Sequence, residues 1–375
     1  MKKTEDSSKI HVGWIDAYKG VLIILVVLGH VIGGGIHLMP EGTFSRTVAE
    51  YAFKFIYSFH MPAFFLIAGV TFGMGRRKTF SEFLGRKAQR LLVPYFFFGI
   101  ASGVLYLALS GYFDTAVANH ATDSYYAGKT GIAWWVPFVG LLHGGGWPNG
   151  LGFISNSVLW FLPCLFSVEI AYYLLDWSMS NQRGQLLIAG LLLLVVQPLG
   201  CLLPQELPWG FSKLPYFLPF MVMGRWMPAA VRTSRVATII GATLLVALAG
   251  GVIATPNAWY ATQNWRWSLI FTGLAIMGVV SLSCLIRFAD FRMVRLLGMT
   301  SMTIMLLHKF LVVAMQLKIP VLRALSSAGG WRMAIATGGI TAVSLFICVG
   351  ADWFIRTIAP WMLGMKSSAA TKLRN

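Results

Sequence analysis

Long apolar runs separated by short polar segments dominate the pattern along this chain. Each run is about as long as the roughly 20 residues that a helix needs to cross the hydrocarbon core of a bilayer. None alternates apolar and polar residues as a membrane-barrel strand does. Because lipid offers no partner to open backbone groups, the pattern predicts an all-α, polytopic membrane helix bundle of about ten transmembrane helices. The predicted spans are residues 14–36, 51–74, 91–112, 157–177, 185–204, 214–230, 235–255, 267–287, 296–316 and 333–359.

Composition excludes a soluble or disordered protein. Hydrophobic residues make up 57% of the chain and charged residues only 11%, whereas soluble domains carry about 25% charged residues. Each of the four cysteines stands alone in an apolar run without a CxxC pair. We therefore expect small hydrophobic side chains there rather than disulfides or metal ligands. The first residues do not have the pattern of a cleavable signal peptide.

The net charge of +17 has a membrane explanation. In a soluble protein it would suggest nucleic acid, but basic residues also collect in the cytoplasmic loops of membrane proteins. Most of the 30 Lys and Arg residues fall on the side of the N-terminus, so we expect a multi-pass membrane protein with both termini in the cytoplasm. The expected division is a cytoplasmic segment 1–13, a membrane domain 14–362 and a polar cytoplasmic tail 363–375.

The longest predicted outer connection, residues 113–156, is rich in aromatic residues. Aromatic side chains suit the membrane interface, and they also suit stacking on the apolar faces of sugar rings. The sequence leaves both interpretations open. The aromatic and histidine residues concerned are Trp134, Trp135, Trp147, Tyr125, Tyr126, His120 and His143.

Ionisable residues inside predicted spans are the main candidates for chemistry, since they are costly in lipid. In the first span Lys19 and His30 are eleven residues apart. At 100° per residue they lie about 20° from alignment on one helix face, roughly 16 Å apart along the axis. Asp16 lies three residues before Lys19 and can pair with it. The alternatives are an anchoring ion pair for Asp16 and Lys19 and an interhelical hydrogen bond for His30.

Two further histidines are predicted at a depth similar to that of His30. His60 enters its span from the outer side, and His308 lies in the outer half of another span, about two turns from Ser301. A sheltered histidine suits a general base that activates a hydroxyl group. A zinc site would need further ligands, and no carboxylate or thiolate is spaced to complete one. We therefore expect no metal.

A basic segment follows the second span and contains Arg76, Arg86, Lys87 and Arg90. The preference for positive charge in cytoplasmic loops explains such a segment by itself. Arg86 and Arg90 are also one helical turn apart, so they could bind a phosphate together. Both interpretations stay open on physical grounds alone.

Several sequence blocks, in order along nearly the whole chain, resemble the membrane acyltransferase 3 family. The first block resembles its R/K-x10-H signature, with Lys19 where the family usually has Arg. Lysine keeps the charge but loses the bidentate fork. The residues of the second and fourth blocks are most similar to those of sugar O-acetylases, including fucose 4-O-acetylase-like proteins. The blocks are Asp16-Lys19-Gly20-His30, Phe59-His60-Met61-Pro62-Ala63-Phe64-Phe65 to Gly69, Arg86 to Tyr95, Leu159-Trp160-Phe161-Leu162, Gly224-Arg225, and Leu297-Gly298 through Ser301 to His308.

The resemblance implies an integral membrane O-acetyltransferase that moves acetyl from cytoplasmic acetyl-CoA to a sugar hydroxyl of an extracytoplasmic glycan. Its expected partners are the bilayer, the glycan acceptor and the machinery of polysaccharide biosynthesis, with no nucleic acid. The implied catalytic residues are His30, Lys19 and Asp16. Those implied for acetyl-CoA binding are Arg86, Lys87, Arg90 and Arg76, and the supporting residues are His60, Trp160, Ser301 and His308.

Two mechanisms remain open at this point. His30 could deprotonate the acceptor hydroxyl for direct attack on the thioester, or it could carry the acetyl group as an acyl-imidazole. No single oxyanion donor stands out, and Ser301, Trp160 and the backbone of residues 33–35 are the candidates. The competing functions are a glycan or lipid transporter without acyl transfer and an enzyme of the bound-O-acyltransferase type.

Overall fold

The computed structural model describes residues 2–74, 79–108, 135–144, 156–200, 207–255 and 265–365. These residues are helical or lie in short connections, and no β-strand occurs among them, which confirms the predicted all-α fold. Most of the predicted aromatic connection 113–156, together with Arg76 and the polar residues 366–375, lies outside the described residues.

The helices vary widely in length, and several are joined without a break in direction. They are α1 (Lys2–Ile36), α2 (Phe44–Gly73), α3 (Phe80–Lys87), α4 (Val93–Ala108), α5 (Val136–His143), α6 (Phe161–Ser178), α7 (Gln182–Leu191), α8 (Gln197–Leu199), α9 (Leu214–Arg225), α10 (Ala230–Thr233), α11 (Arg235–Ile253), α12 (Trp265–Leu285), α13 (Arg292–Met299), α14 (Ser301–Lys318), α15 (Pro320–Ser327) and α16 (Gly330–Ile358). π-Helical turns occupy Ala88–Leu92 and Leu192–Val196, and 3₁₀ turns occupy Ser157–Trp160, Pro208–Lys213, Ile286–Ala289 and Pro360–Leu363.

The number of candidate spans is lower than the sequence pattern predicts. Within the described ranges, eight helical segments are long and apolar enough to cross a membrane, and nine if the bent pair α13–α14 counts as one span. The predicted span 214–230 corresponds to α9, which has only 12 residues. It rises about 18 Å, less than the roughly 30 Å of a bilayer core. Hydropathy alone does not distinguish such a short, buried helix from a span.

The predicted span 296–316 is broken at Thr300, where α13 and α14 meet at 82°. A polar network from α16 holds this break. Arg356 donates from Nη2 to the carbonyl of Met299 at 3.0 Å and from Nε to Asp352 at 2.6 Å, while Thr303 donates to the other carboxylate oxygen of Asp352. The network satisfies a carbonyl that loses its helical partner at the end of α13.

α13 packs against the part of α1 that carries Lys19. A Cβ atom on Gly20 would overlap the carbonyl oxygen of Val294, and one on Gly298 would overlap the carbonyl oxygen of Asp16. The two helices therefore approach backbone to backbone, which small residues permit in membrane bundles. This close contact fixes the Lys19 end of α1 against α13.

The helices that carry the predicted chemistry lie at the centre of the bundle. In the most apolar 18-residue stretch of each helix, 56% of the residues of α1, 61% of those of α2 and 61% of those of the segment Ser157–Ser178 are buried. The corresponding share for α11 is 17%. Large apolar side chains on α16, such as Phe346 and Trp353, are exposed on the outside of the bundle. Such side chains suit contact with lipid.

Candidate active site

α1 carries both ends of the candidate site. It is a continuous α-helix from Lys2 to Ile36, so Lys19 and His30 share a face and are separated by about 16 Å along its axis. Each of these residues meets side chains from other helices, and the two groups differ in chemistry.

The histidine cluster consists of His30, Tyr57, His60 and His308, contributed by α1, α2 and α14. The ring centroids of His30 and His308 are 5.1 Å apart. Tyr57 packs edge-on against His60 at 4.7 Å and against His30 at 6.2 Å. Three predicted site residues are thus close together, and Tyr57 joins them.

Backbone contacts orient two of the three imidazoles. Nδ1 of His60 lies 2.9 Å from the carbonyl oxygen of Ile56, and Nδ1 of His308 lies 2.7 Å from that of Ile304. A carbonyl only accepts hydrogen bonds, so each Nδ1 carries the proton and Nε2 of the neutral ring carries the lone pair. Nε2 of His308 is buried without a hydrogen-bond partner among the described residues.

His30 is the accessible member of the cluster. His308 is 0% exposed and His60 is 3% exposed, whereas His30 is only partly buried. Nδ1 of His30 lies 3.4 Å from the hydroxyl oxygen of Tyr57, which leaves Nε2 for a substrate. Of the three imidazoles, that of His30 is therefore the most exposed.

Packing between α1, α2 and α14 sets the position of His30. A Cβ atom on Gly29 would come within 2.8 Å of the Tyr57 ring, so the ring packs where α1 has no side chain. On the other side, Nε2 of Gln316 donates to the carbonyl of Val31 at 2.7 Å, and its amide fills the space over Gly34. These contacts hold His30 between Tyr57 and His308.

The basic cluster, at the Lys19 end of α1, consists of Lys19, Lys87 and Arg90 with the carboxylates of Asp16 and Glu169. Lys19 is close enough to Asp16, Arg90 and Lys87 for direct electrostatic interaction. Lys87 forms an ion pair with Glu169. Glu169 is buried, with 3% of its surface exposed. Buried carboxylates are kept in pairs of this kind because an unpaired one is costly.

Arg86 and Arg90 have different neighbours, because the π-helical turn Ala88–Leu92 begins between them. Its wider hydrogen-bonding pattern rotates later side chains relative to α3, and Arg90 interacts electrostatically with both Lys19 and Glu169. Arg86 is exposed, and Arg76 lies outside the described residues. The structure thus places Lys87 and Arg90, of the four predicted basic residues, in the basic cluster.

The remaining predicted residues are Ser301 and Trp160. Ser301 is the first residue of α14, about 10 Å along the axis from His308. Trp160 ends a 3₁₀ turn, and its ring lies 4.2 Å beneath the ammonium of Lys213. The turn is joined to α14 by Asn156, which donates to the carbonyl of Leu306 at 2.8 Å.

Tyr57 and Glu169 were not predicted from the sequence. Tyr57 precedes His60 by one helical turn, so a search of the helix face around His60 would have found it. Glu169 lies in an apolar run, and intramembrane carboxylates are rare enough to be candidates by themselves. Within the described residues no three His, Cys, Asp or Glu side chains are grouped so that they could hold a metal ion.

A family model described as an acyltransferase domain matches residues 12–353. The chain belongs to the acyltransferase 3 family. It is therefore a membrane acyltransferase, and the match covers both the histidine cluster and the basic cluster.

Two relatives share a shorter stretch with this acyltransferase. Nodulation protein NolL of Mesorhizobium japonicum is 41% identical over 83 residues, which are 22% of this chain and 21% of the relative. Nodulation protein NolL of Sinorhizobium fredii is 42% identical over 83 residues, 22% of each chain. The matches thus span about a fifth of the length of these relatives. No solved structure matches the chain.

Proposed function

We propose that this acyltransferase moves an acetyl group from acetyl-CoA, bound at the Lys19 end of α1, to a sugar hydroxyl of a glycan that reaches His30 from the opposite side. The observation that carries the proposal is the arrangement along α1. One helix face joins a cluster of cations to an accessible imidazole about 16 Å away. A donor with phosphates at one end and a thioester at the end of a long arm fits these two clusters.

The basic cluster suits the phosphate groups of coenzyme A. Lys19, Lys87 and Arg90 supply three neighbouring cations, and the carboxylates of Asp16 and Glu169 lie beside them. Hydrogen bonds between ionised donors and phosphate oxygens are the stronger kind. The two carboxylates hold the cations together before the donor binds.

The histidine cluster suits acyl transfer. In the direct route, Nε2 of His30 takes the proton of the sugar hydroxyl, whose oxygen attacks the thioester carbon; the C–S bond then breaks and the thiolate takes the proton. In the alternative route, Nε2 itself attacks the thioester carbon and the C–S bond breaks to release the CoA thiolate. The sugar oxygen then attacks the acyl-imidazole, the C–N bond breaks, and the hydroxyl proton passes to the thiolate. Tyr57 fixes the ring in either route through its contact with Nδ1.

The placement in the cell follows from charge. Basic residues gather at the Lys19 end, and an excess of Lys and Arg marks the cytoplasmic side. The proposal therefore places the termini and the basic cluster in the cytoplasm of a bacterium, and the approach to His30 on the outside of its inner membrane. The acceptor is then a surface or exported polysaccharide, together with the machinery that makes it.

The orientation can be tested by labelling introduced cysteines from outside intact cells. Glu41 and Gly85 are suitable positions, because Glu41 is exposed and no atom lies within 4 Å of a Cβ placed on Gly85. Cysteine at position 41 should react with a membrane-impermeant maleimide, and cysteine at position 85 should react only after permeabilisation. The opposite result would reverse the proposed orientation.

The activity can be tested with purified protein in liposomes. [¹⁴C]Acetyl-CoA is supplied on the Lys19 side and glycan fragments from the host on the other side. We expect labelled acetyl esters on the glycan and free CoA in equal amount, and neither product with His30→Asn. Glycan that crosses the membrane without gaining acetyl would support the transporter alternative instead.

A further inference from the structure

Lys309 lies beside the histidine cluster and has no function in the account above. Lys309 directly follows His308 on α14, and the His308 ring lies 5.1 Å from that of His30. The charge of Lys309 also acts on His30, His308 and His37, which lies just past the end of α1 at Ile36. Burial, with the charges of Arg46 and Lys309, lowers the pKa of His37 below its usual value. Lys309 therefore lies along α1 near His30, on the side away from Lys19.

Among the described residues, no carboxylate forms an ion pair with Lys309. The ion pairs among the described residues involve Arg46, Lys87, Arg295 and Arg356 instead. Lys309 lies at mid-helix, because nine residues of α14 follow it up to Lys318, a rise of about 13 Å. A lysine side chain reaches the interface readily only near a helix end. An unpaired cation at mid-helix needs a partner that appears during function.

Acyl transfer supplies such a partner in either route. When an oxygen or nitrogen nucleophile adds to the thioester carbon, the carbonyl π-electrons move to oxygen and leave a negative charge there. Side-chain cations or N–H groups fixed around that oxygen stabilise the transition state. Of the oxyanion candidates from the sequence, Ser301 lies about 10 Å along α14 from His308.

We propose that Lys309 is the oxyanion-stabilising residue of this acyltransferase. The inference rests on the proposed acyl-transfer chemistry at His30. The ammonium of Lys309 donates a hydrogen bond to the thioester oxygen as the tetrahedral intermediate forms. When the C–S bond breaks, the electrons return to the carbonyl and the bond to Lys309 weakens. In the direct route the thiolate then takes the proton held by His30. Lys309 keeps its own protons throughout.

The test is a set of steady-state measurements on Lys309→Met, Lys309→Arg and Lys318→Gln. Methionine keeps much of the length and volume without the charge, arginine keeps the charge, and Lys318 is an exposed residue at the end of the same helix. We expect Lys309→Met to lower kcat by about 10²–10³-fold, with the KM values for acetyl-CoA and acceptor changed less than threefold. Lys309→Arg should recover at least a tenth of wild-type kcat, and Lys318→Gln should match the wild type.

Three outcomes would overturn the assignment. A higher KM for the acceptor with unchanged kcat would make Lys309 a binding residue for an anionic acceptor. A loss of kcat confined to part of the range pH 6–9 would show that it acts only through protonation of His30. Wild-type kcat in Lys309→Met would leave it without a role in the reaction. Absence of acetyl transfer in the wild type, by contrast, would contradict the proposed function and not the assignment of Lys309 alone.

Discussion

The basic cluster at Lys19 and the histidine cluster at His30, the two ends of one face of α1, hold their ionisable groups in different ways. In the basic cluster the charges are kept as charges, because Lys87 pairs with Glu169 and Lys19 lies beside Asp16. In the histidine cluster the buried rings of His60 and His308 donate from Nδ1 to backbone carbonyls, which places the lone pair of each neutral ring on Nε2. The first arrangement suits lasting attraction of an anion, and the second suits a proton that moves.

The comparison predicts that the largest effect belongs to His30. His30→Asn keeps a hydrogen-bond donor and acceptor near Tyr57 but removes the basic nitrogen, so acetyl transfer should fall by about 10²–10⁴-fold. Binding of acetyl-CoA, measured by calorimetry on the purified protein, should stay within threefold of the wild type. Transfer at the wild-type rate, with equal amounts of folded protein, would remove His30 from the reaction.

His308 provides the matched comparison inside the cluster. His308→Asn should reduce transfer less than His30→Asn, because His308 is fully buried and His30 is the accessible ring. Initial rates for both variants under the same conditions decide the order. A larger loss with His308→Asn would make His308 the base and His30 its support.

At the other end, the comparison predicts a difference between two exposed arginines on one segment. Arg90→Gln should weaken acetyl-CoA binding by about 10- to 100-fold, the value of one charge-assisted contact, because Arg90 lies close to Lys19 and Glu169. Arg86→Gln should weaken it less than threefold. Calorimetric titration with acetyl-CoA measures both, and kcat at saturating donor should be unchanged.

Equal losses in the two variants would restore the sequence-based view that Arg86 and Arg90 bind phosphate together. Dephospho-CoA offers a further check. It lacks one phosphate, so the loss caused by Arg90→Gln should shrink with this donor if Arg90 contacts that group, and should persist if Arg90 contacts the remaining phosphates.

The smallest predicted effect is that of the Tyr57 hydroxyl. Tyr57→Phe removes the contact with Nδ1 of His30 and keeps the ring that fills the space over Gly29. Loss of one hydrogen bond of about 0.5–1.5 kcal/mol predicts a two- to tenfold lower kcat. Acetyl-CoA affinity should be unaffected. A loss as large as that of His30→Asn would instead indicate that Tyr57 itself takes part in proton transfer.

The sequence predicted what depends on a single helix. The Lys19–His30 alignment needs only that α1 continue as a regular helix, and the apolar run guarantees this. The all-helical fold also follows from hydropathy, since lipid allows no open backbone. The common depth predicted for His60 and His308 requires only that each span cross the same layer.

What the sequence did not predict depends on contacts between helices or on local departures from α-helical geometry. The partner of Lys87 lies 82 residues away, and hydropathy carries no signal for such a pair. The π-helical turn before Val93 changes which basic side chains face α1, although the residues there suit an ordinary helix. The break at Thr300 is held by Asp352 and Arg356, more than fifty residues further along the chain.

That break has a consequence for the size of the donor. α13 packs against the Lys19 end of α1 at Gly20 and Gly298. α14 is hydrogen-bonded to the His30 end of α1 through Gln316. Arg356 and Asp352 hold the angle between α13 and α14. A shift of α1 along its axis would therefore break its contacts with both helices. The distance between the basic cluster and the imidazole of His30 is then fixed, and under the proposed function it sets the length of donor that can react. Donors with a truncated pantetheine arm would bind by their phosphates and still fall short of His30.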